Sequence, residues 1–317
     1  MVKYLIRRLL ATIPVFGIVT GMVFLMIHLI PGDPVIFMLR DQATAESIQL
    51  LRHELRLDKS IVAQYGDWVV DLLQGNMGRS LITNEPVATI IGNALLPTAQ
   101  LALFSTVIAL VIGLSVGIFT AIRPRSRLNT FSSVFSLLGI CMPTFWTGIV
   151  LILVFAVLLR WLPPSGYVPF GENPLEHIRH MILPSICIGW LIGAVLMRQT
   201  RSSVIDVLRQ EYIRVAWAKG LSERTVTLRH VLKNALLPII TVAGMEAGAL
   251  FGGAVVTETV FAIPGLGRTM TMATFSRNFP VVQGLVLFMA IGVVGANVLV
   301  DIVYMILDPR IRYQSDE

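Results

Sequence analysis

Long runs of hydrophobic residues, separated by shorter polar segments, dominate the chain. A helix needs roughly 20 mostly apolar residues to cross a bilayer, and several runs reach or approach that length. The fourth of these runs, Ile182–Met197, is the shortest and contains Pro184, and its loss would change the predicted topology. The pattern predicts six transmembrane helices, at Leu9–Ile30, Thr98–Ile122, Phe131–Leu159, Ile182–Met197, Leu236–Val256 and Val281–Leu307.

The polar segment between the first two predicted spans, residues 31–97, is long enough to fold by itself. Apolar residues recur at helical spacing in Gln42–Leu57 and again in Ile61–Leu73, which predicts two short amphipathic helices. Gly75 and Gly78 indicate a turn after the second helix. We expect a small helical subdomain here, either as a docking platform or as a solvated cap.

The positions of Lys and Arg predict how the spans are oriented, because basic loops stay in the cytoplasm. Basic residues collect at the N-terminus, in residues 123–127 and in residues 198–235, where eight basic residues accompany three acidic ones. Residues 31–97 instead hold five basic and eight acidic residues. The sequence therefore predicts both termini and a large loop at 198–235 in the cytoplasm, with residues 31–97 outside.

The composition agrees with a membrane protein and excludes an ordinary soluble domain. Of 317 residues, 55% are hydrophobic and 14% are charged, whereas soluble domains carry about 25% charged residues. The net charge of +6 is then expected to reflect loop topology rather than nucleic-acid binding. The predicted organisation is 1–30 for the N-terminus and first span, 31–97 for the outer subdomain, 98–307 for a five-span core and 308–317 for a cytoplasmic tail.

Catalytic motifs are missing from the sequence. It contains no Gly-x-x-x-x-Gly-Lys-Ser/Thr phosphate loop, no His-Glu-x-x-His pair and no Gly-x-Ser-x-Gly elbow. His177 and His180 lie three residues apart, but no acid or cysteine obviously completes a metal set, so no metal site is predicted. A membrane enzyme or a channel acting alone is disfavoured, and any energy must come from elsewhere.

Two acidic residues, Glu246 and Asp301, fall inside predicted spans. Ionisable groups are costly in a membrane, so both are candidates for a substrate pathway. Structural pairing is the alternative for Glu246, and a position near the membrane interface is the alternative for Asp301. A proton-coupled carrier that uses both acids stays open as a further interpretation.

The loop at 198–235 contains a stretch that predicts one amphipathic helix over residues 202–220, with Gly220 as its stop. Such a helix can lie on a lipid surface or insert into a groove of a partner protein. Its apolar face is predicted to consist of Ile205, Leu208, Tyr212, Val215 and Trp217, with Arg209, Arg214 and Lys219 in solvent.

Residues Glu211–Gly220 (EYIRVAWAKG), followed by His230–Pro238 (HVLKNALLP), resemble a known family motif. They are similar to the Glu-Ala-Ala…Gly loop of permeases from binding-protein-dependent ABC importers. Tyr212 and Ile213 replace the alanines of the general pattern, and Trp217 stands where a smaller or basic residue is expected. The spacing from Gly220 to Pro238 is also longer than in the general pattern. This spacing and the replacement of the alanines by Tyr212 and Ile213 both fit the dipeptide, oligopeptide, glutathione and nickel branch.

Three further segments resemble the same branch and occur in the expected order along the chain. They are His28–Pro34 after the first span, Pro264–Arg268 before the last span, and Leu307–Tyr313 near the end. The resemblance therefore extends from end to end. It implies an all-α membrane protein with six spans and the type I importer permease (MetI-like) fold.

The resemblance also implies roles for individual residues. The cytoplasmic loop would form a coupling helix that docks in a cleft of a separate ATPase, and Glu211, Ala216 and Gly220 are expected to set its geometry. Glu258, close before the Pro264–Arg268 turn, would line the outer mouth of a pathway that also includes Glu246 and Asp301. The residues expected to couple the chain to the ATPase are Glu211, Tyr212, Arg214, Ala216, Trp217, Lys219 and Gly220.

By the same resemblance, the chain would work with a homologous second permease, two cytoplasmic ABC ATPases and an extracytoplasmic solute-binding protein. The chain itself would bind no cofactor, because ATP and Mg²⁺ would be held by the ATPases. Its location would be the bilayer of a bacterial cytoplasmic (inner) membrane. The implied function is ATP-driven import of di- or oligopeptides, with glutathione or nickel as alternatives.

Overall fold

The computed structural model describes residues 2–29, Gln49 and residues 58–307, and these ranges are predominantly helical. Within these ranges two segments are π-helical: Ile152–Leu158, which follows the helix Thr144–Leu151, and Val226–Val231, which follows the short turn Glu223–Thr225. The helices are α1 (Val2–Leu29), α2 (Ile61–Leu73), α3 (Val87–Ile122), α4 (Arg127–Cys141), α5 (Thr144–Leu151), α6 (Pro174–Leu208), α7 (Glu211–Ala218), α8 (Leu232–Gly253), α9 (Val255–Val260), α10 (Leu266–Phe275) and α11 (Phe279–Leu307).

Four continuous helices in the described ranges are long and apolar enough to cross a membrane. They contain the second and fourth predicted spans and most of the fifth and sixth, and α6 runs without interruption through Pro184. The first predicted span lies in α1, where the described apolar stretch is Thr12–Leu25. The four helices are Val87–Ile122, Pro174–Leu208, Glu223–Leu250 and Phe279–Leu299.

The third predicted span, Phe131–Leu159, is broken. α4 and the helix that begins with α5 meet at an angle of 111°, and the pair counts as a fifth candidate span if it is taken as one. Met142 adopts an extended conformation (φ −78°, ψ 129°) in front of Pro143. A residue before proline is pushed out of the helical region, and proline has no N–H to donate. The prediction of one continuous helix is therefore wrong.

One compact unit consists of Met1–Leu95 and Thr269–Ile291. It contains the amphipathic helix predicted at Ile61–Leu73, which the structure confirms as α2 with Ser60 as its N-cap. The positive φ angles of Gly75 and Gly78 (80° and 82°) confirm the predicted turn after it. The helix predicted at Gln42–Leu57 lies outside the described residues except for Gln49.

Within this unit, Asn278 connects the start of α11 to the segment that follows the turn. Its Nδ2 donates to Ser80 Oγ at 2.8 Å, and its Oδ1 accepts from the Leu81 backbone N–H at 3.0 Å. Asn278 and Ser80 are both buried. Two segments about 200 residues apart in sequence are thus held together by a satisfied polar pair.

Asn278→Ala is expected to lower the free energy of unfolding by about 1–3 kcal/mol, because the Leu81 N–H loses its acceptor and the buried Ser80 hydroxyl loses one of its partners. The measurement is the melting temperature of the purified protein in detergent. Ser80→Ala and the double variant complete a mutant cycle. If the two single effects simply add, the hydrogen bond between these side chains does not contribute to stability.

The second compact unit consists of Leu96–Arg268 and Gly292–Glu317. Its central helix is α6, which packs against α4, α5 and α8, and 67% of its most apolar window is buried. α3 approaches α6 closely at Gly113 and Gly117, where an added Cβ would lie 2.6 Å from the Cβ atoms of Leu196 and Thr200. Small residues permit this close packing of helices.

Candidate functional site

The helix predicted over residues 202–220 is two helices in the structure. α6 continues to Leu208, the chain turns at Arg209 and Gln210, and α7 begins at Glu211. Gln210 is extended (φ −70°, ψ 145°), as residues at a helix start commonly are. The prediction of one continuous helix is therefore wrong. Glu211 lies in the first turn of α7, where its negative charge favours the positive end of the helix dipole.

Two buried residues attach α7 to the rest of its unit. Ile213 and Ala216 lie three residues apart on one side of the helix and are buried. Ile213 was not among the predicted site residues, although this i, i+3 pair was visible in the sequence. Both side chains belong to an apolar cluster, the α7 anchor, that also contains Ala121, Val204, Val226, Val231 and Ala235.

Outside the anchor, α7 exposes three apolar side chains to the exterior. Tyr212, Val215 and Trp217 are 44%, 53% and 49% exposed, and the Tyr212 hydroxyl accepts a hydrogen bond from Asn234 Nδ2 at 3.0 Å. Charged Glu211, Arg214 and Lys219 are also exposed. Ile205 and Leu208 were predicted to share one apolar face with these three side chains. Instead they lie on α6 and pack against the α7 anchor.

Gly220 ends α7 in a conformation that favours glycine. Its φ is +78°, and an added Cβ would have no neighbour within 4 Å, so the requirement is conformational rather than steric. The Gly220 N–H donates to Trp217 O at 2.9 Å, and the Leu221 N–H donates to Ala216 O at 3.4 Å. These two bonds are those of a Schellman motif. The predicted stop at Gly220 is confirmed.

Glu258, expected to line an outer mouth, is fully buried. Its Oε1 accepts from Thr98 Oγ1 at 2.6 Å, and its Oε2 accepts from the Arg268 backbone N–H at 2.9 Å. Thr98 Oγ1 in turn accepts from the Leu266 N–H at 2.8 Å. Burial raises the pKa of the Glu258 carboxyl, and its hydrogen bonds from Thr98, Arg268 and Gly267 oppose that rise.

The Pro264–Arg268 turn wraps around this carboxylate, and its two glycines make the approach possible. An added Cβ at Gly265 would overlap the Glu258 carboxyl group, and one at Gly267 would lie 2.5 Å from the Val255 Cα. Leu266 and Arg268 supply the backbone donors just described. The motif recognised in the sequence is thus explained by the space and donors that one buried glutamate needs.

The other candidate residues are not gathered around Glu258. Glu246 is half-buried on α8 and has no hydrogen bond or ion pair with another described residue. Asp301 belongs to α11, and its side chain lies outside the described residues. His177 Nδ1 and His180 Nδ1 lie within hydrogen-bonding distance of the backbone oxygens of Val168 and Glu176. In the described ranges, no three His, Cys, Asp or Glu residues are placed to hold a metal ion.

Comparison with known structures supports the architecture. A chain of the MetNI methionine ABC transporter, in inward-facing conformations, matches with a TM-score of 0.58 and 16% identity, over 70% of this chain and 97% of that one. An amino acid ABC transporter matches with a TM-score of 0.53 and 13% identity, over 68% and 94%. At these identities the match establishes a shared fold, that of MetI-type importer permeases.

Sequence comparison extends over nearly the whole chain. A Brucella abortus (strain 2308) protein named "Putative peptide transport system permease protein" is 41% identical over 313 residues, which cover 99% of this chain and all of the relative. The glutathione transport system permease protein GsiC of Escherichia coli (strain K12) is 38% identical over 314 residues, with the same coverage.

The family profile described as "Binding-protein-dependent transport system inner membrane component" matches residues 113–313. The profile of the N-terminal part of such membrane components matches residues 1–102. Together they cover both compact units of the structure. The chain therefore belongs to the family of inner membrane permease components of binding-protein-dependent transport systems.

Proposed function

We propose that this chain is one permease subunit of an ATP-driven importer of short peptides and that α7 is its coupling helix. The relatives named for peptide and for glutathione transport match at similar identity over the full chain. Glutathione is itself a tripeptide, so both names describe short peptides. Nickel is the weaker alternative, because no group of metal ligands is found among the described residues.

The observation that carries the coupling role is the exposure of Tyr212, Val215 and Trp217 on a helix that is held by its buried anchor. Tyr212 and Trp217 are large aromatic side chains, which contribute strongly to protein interfaces when they fill a pocket. Arg214 and Lys219 can pair with acids around such a pocket. Because Ile213 connects α7 to the ends of neighbouring helices, closure of a bound ATPase pair would move the spans with it.

The partners and topology follow from the same proposal. Two cytoplasmic ATPases would bind ATP and Mg²⁺, and a homologous permease would complete the pathway. α1 would be the first of six spans, with both termini in the cytoplasm. The segment 31–97 would receive the extracytoplasmic binding protein. Glu246 and Asp301 stay candidates for lining the pathway, whereas the buried Glu258 would act by holding the Pro264–Arg268 turn.

The test is uptake of labelled dipeptide, glutathione and nickel into vesicles that contain the assembled transporter. We expect uptake of a peptide substrate that requires both ATP and the binding protein. Uptake that follows a proton gradient without any ATPase would overturn the proposal in favour of a proton-coupled carrier. Uptake of nickel alone would retain the mechanism and correct the substrate class.

Trp217→Ala is expected to weaken association with the ATPase without changing the melting temperature of the permease, because the side chain is half exposed and outside the anchor. We expect about a tenfold or greater loss of affinity, which corresponds to an interface hot spot. Co-purification and a binding titration measure it. Ile213→Ala is the matched contrast: it removes a buried side chain, and its loss of stability is expected to be about 2–5 kcal/mol. Equal effects of both variants on stability would contradict the assignment of Trp217 to partner binding and of Ile213 to the anchor.

A further inference from the structure

A cavity of about 450 Å³ lies between the end of α3, α4 and α6, within the second compact unit. α6 contributes Arg198 and Arg201 to its lining, and α4 contributes Ser132, Ser133 and Ser136. None of the residues that line it is acidic. The cavity therefore combines positive charge with hydroxyl groups, which are the groups that bind phosphate oxygens.

Arg198 and Arg201 are the charged residues among those that line this cavity. Arg201 Nε is buried and has no hydrogen-bond partner among the described residues. Neither Arg198 nor Arg201 forms an ion pair with a carboxylate in those ranges. A buried donor that is left unpaired is costly, and such groups in native proteins usually have a partner. Within the described ranges, the positive charge of this cavity is therefore not neutralised by a paired carboxylate.

The serine hydroxyls can contribute to an anion site. Ser132 Oγ and Ser133 Oγ now donate to the backbone oxygen of Asn129, at 3.0 and 2.8 Å, and Ser136 Oγ donates to the backbone oxygen of Ser133 at 3.2 Å. These are bonds within one helix, which a rotation about the Cα–Cβ bond exchanges for a bond to a ligand. The helix does not depend on them, because its backbone bonds are independent of these side chains.

The surroundings of the cavity indicate that the anion is attached to a lipid. The cavity lies where α3 ends, next to the basic residues Arg123 and Arg125, at an end of candidate spans. On the cavity side of α4, the apolar side chain of Leu137 lines the cavity and is 59% exposed. Basic pockets between transmembrane helices at the cytoplasmic side bind anionic headgroups, and acyl chains need an apolar surface beside them.

We propose that this cavity binds the headgroup phosphate of an anionic phospholipid, with Arg198 and Arg201 as its principal ligands. The phosphate would pair with the two guanidinium groups, and the acyl chains would begin at the exposed Leu137 side chain. A bound lipid of this kind links α4 to the central helix α6. The assignment of the cavity to the cytoplasmic leaflet rests on the proposed topology, but binding itself does not.

The experiment measures lipid retained by the assembled transporter. The complex is equilibrated with equal amounts of phosphatidylglycerol and phosphatidylcholine, purified, and analysed by native mass spectrometry. We expect the wild type to retain phosphatidylglycerol selectively. Arg198→Gln with Arg201→Gln should reduce that preference by about 25-fold, at about fivefold for each arginine. Because Arg198 is exposed, Arg198→Gln alone should lose about fivefold with an unchanged yield of complex.

Arg125→Gln is the control, since it removes one positive charge at the same end of the unit without touching the cavity lining. An equal loss in this variant would overturn the proposal in favour of a diffuse surface charge. Absence of retained phosphatidylglycerol in the wild-type complex would also overturn it, as expected if a partner subunit covers the cavity. Displacement of the lipid by excess inorganic phosphate, as effectively as by added phosphatidylglycerol, would show a site for free anions instead. None of these readouts depends on the transported substrate.

Discussion

Gly220→Pro is expected to reduce binding-protein-dependent uptake to background and to abolish stimulation of the ATPase, while the chain remains folded in the membrane. Proline holds φ near −65°, whereas this position needs +78°. Proline also removes the N–H that donates to Trp217 O. The Schellman motif cannot form, so the last turn of α7 and the side chain of Trp217 lose their position.

A series of substitutions at Gly220 separates this effect of backbone conformation from the effect of side-chain size. Gly220→Ala places its Cβ in open space but must adopt a left-handed conformation, at a cost of about 1–2 kcal/mol, so a partial loss of uptake is expected. The loss of uptake in Gly220→Asp should be at least as large as that in Gly220→Ala. Gly171→Asp is the control, because Gly171 has open space and an ordinary φ. Normal coupling in Gly220→Pro would exclude a role for this helix end.

Glu258→Ala is expected to have the largest effect on stability. It removes the acceptor for the Thr98 hydroxyl and for the Arg268 N–H inside the protein, and it leaves a cavity. Unpaired buried donors and a cavity together suggest a loss of about 2–5 kcal/mol in the free energy of unfolding. Uptake should fall in parallel, because the Pro264–Arg268 turn is held by this carboxylate. The measurements are the melting temperature in detergent and uptake in vesicles.

Two other variants make the prediction specific. Glu258→Gln keeps the volume and one acceptor oxygen but turns an NH₂ group toward one of the donors, so an intermediate loss is expected. Glu246→Gln changes a half-buried glutamate without a described partner, and stability should change by less than about 0.5 kcal/mol. If Glu258→Ala melted normally and only uptake were lost, Glu258 would act in the pathway rather than as a support.

Local signals in the sequence were sufficient for several elements. Hydrophobic periodicity located α2, and the run around Pro184 identified a helix that the structure confirms. The break between α4 and α5 was also encoded locally, because Met142 precedes Pro143, but the continuous apolar composition on both sides concealed it. The restart of the helix at Glu211 was missed for a similar reason, since residues on both sides of Gln210 have good helical periodicity.

Hydropathy, backbone preference and motif order are properties of short segments, so the sequence alone was enough for the all-helical membrane character, for four of the candidate spans, for the glycine stop at Gly220 and for the family. Three features required the tertiary structure. Ile213 anchors one side of α7, and the Pro264–Arg268 turn encloses Glu258. Arg198 and Arg201 share a cavity with the serines of α4. Burial and hydrogen bonding depend on which helices become neighbours, and that choice is made by contacts between residues that are distant in the chain.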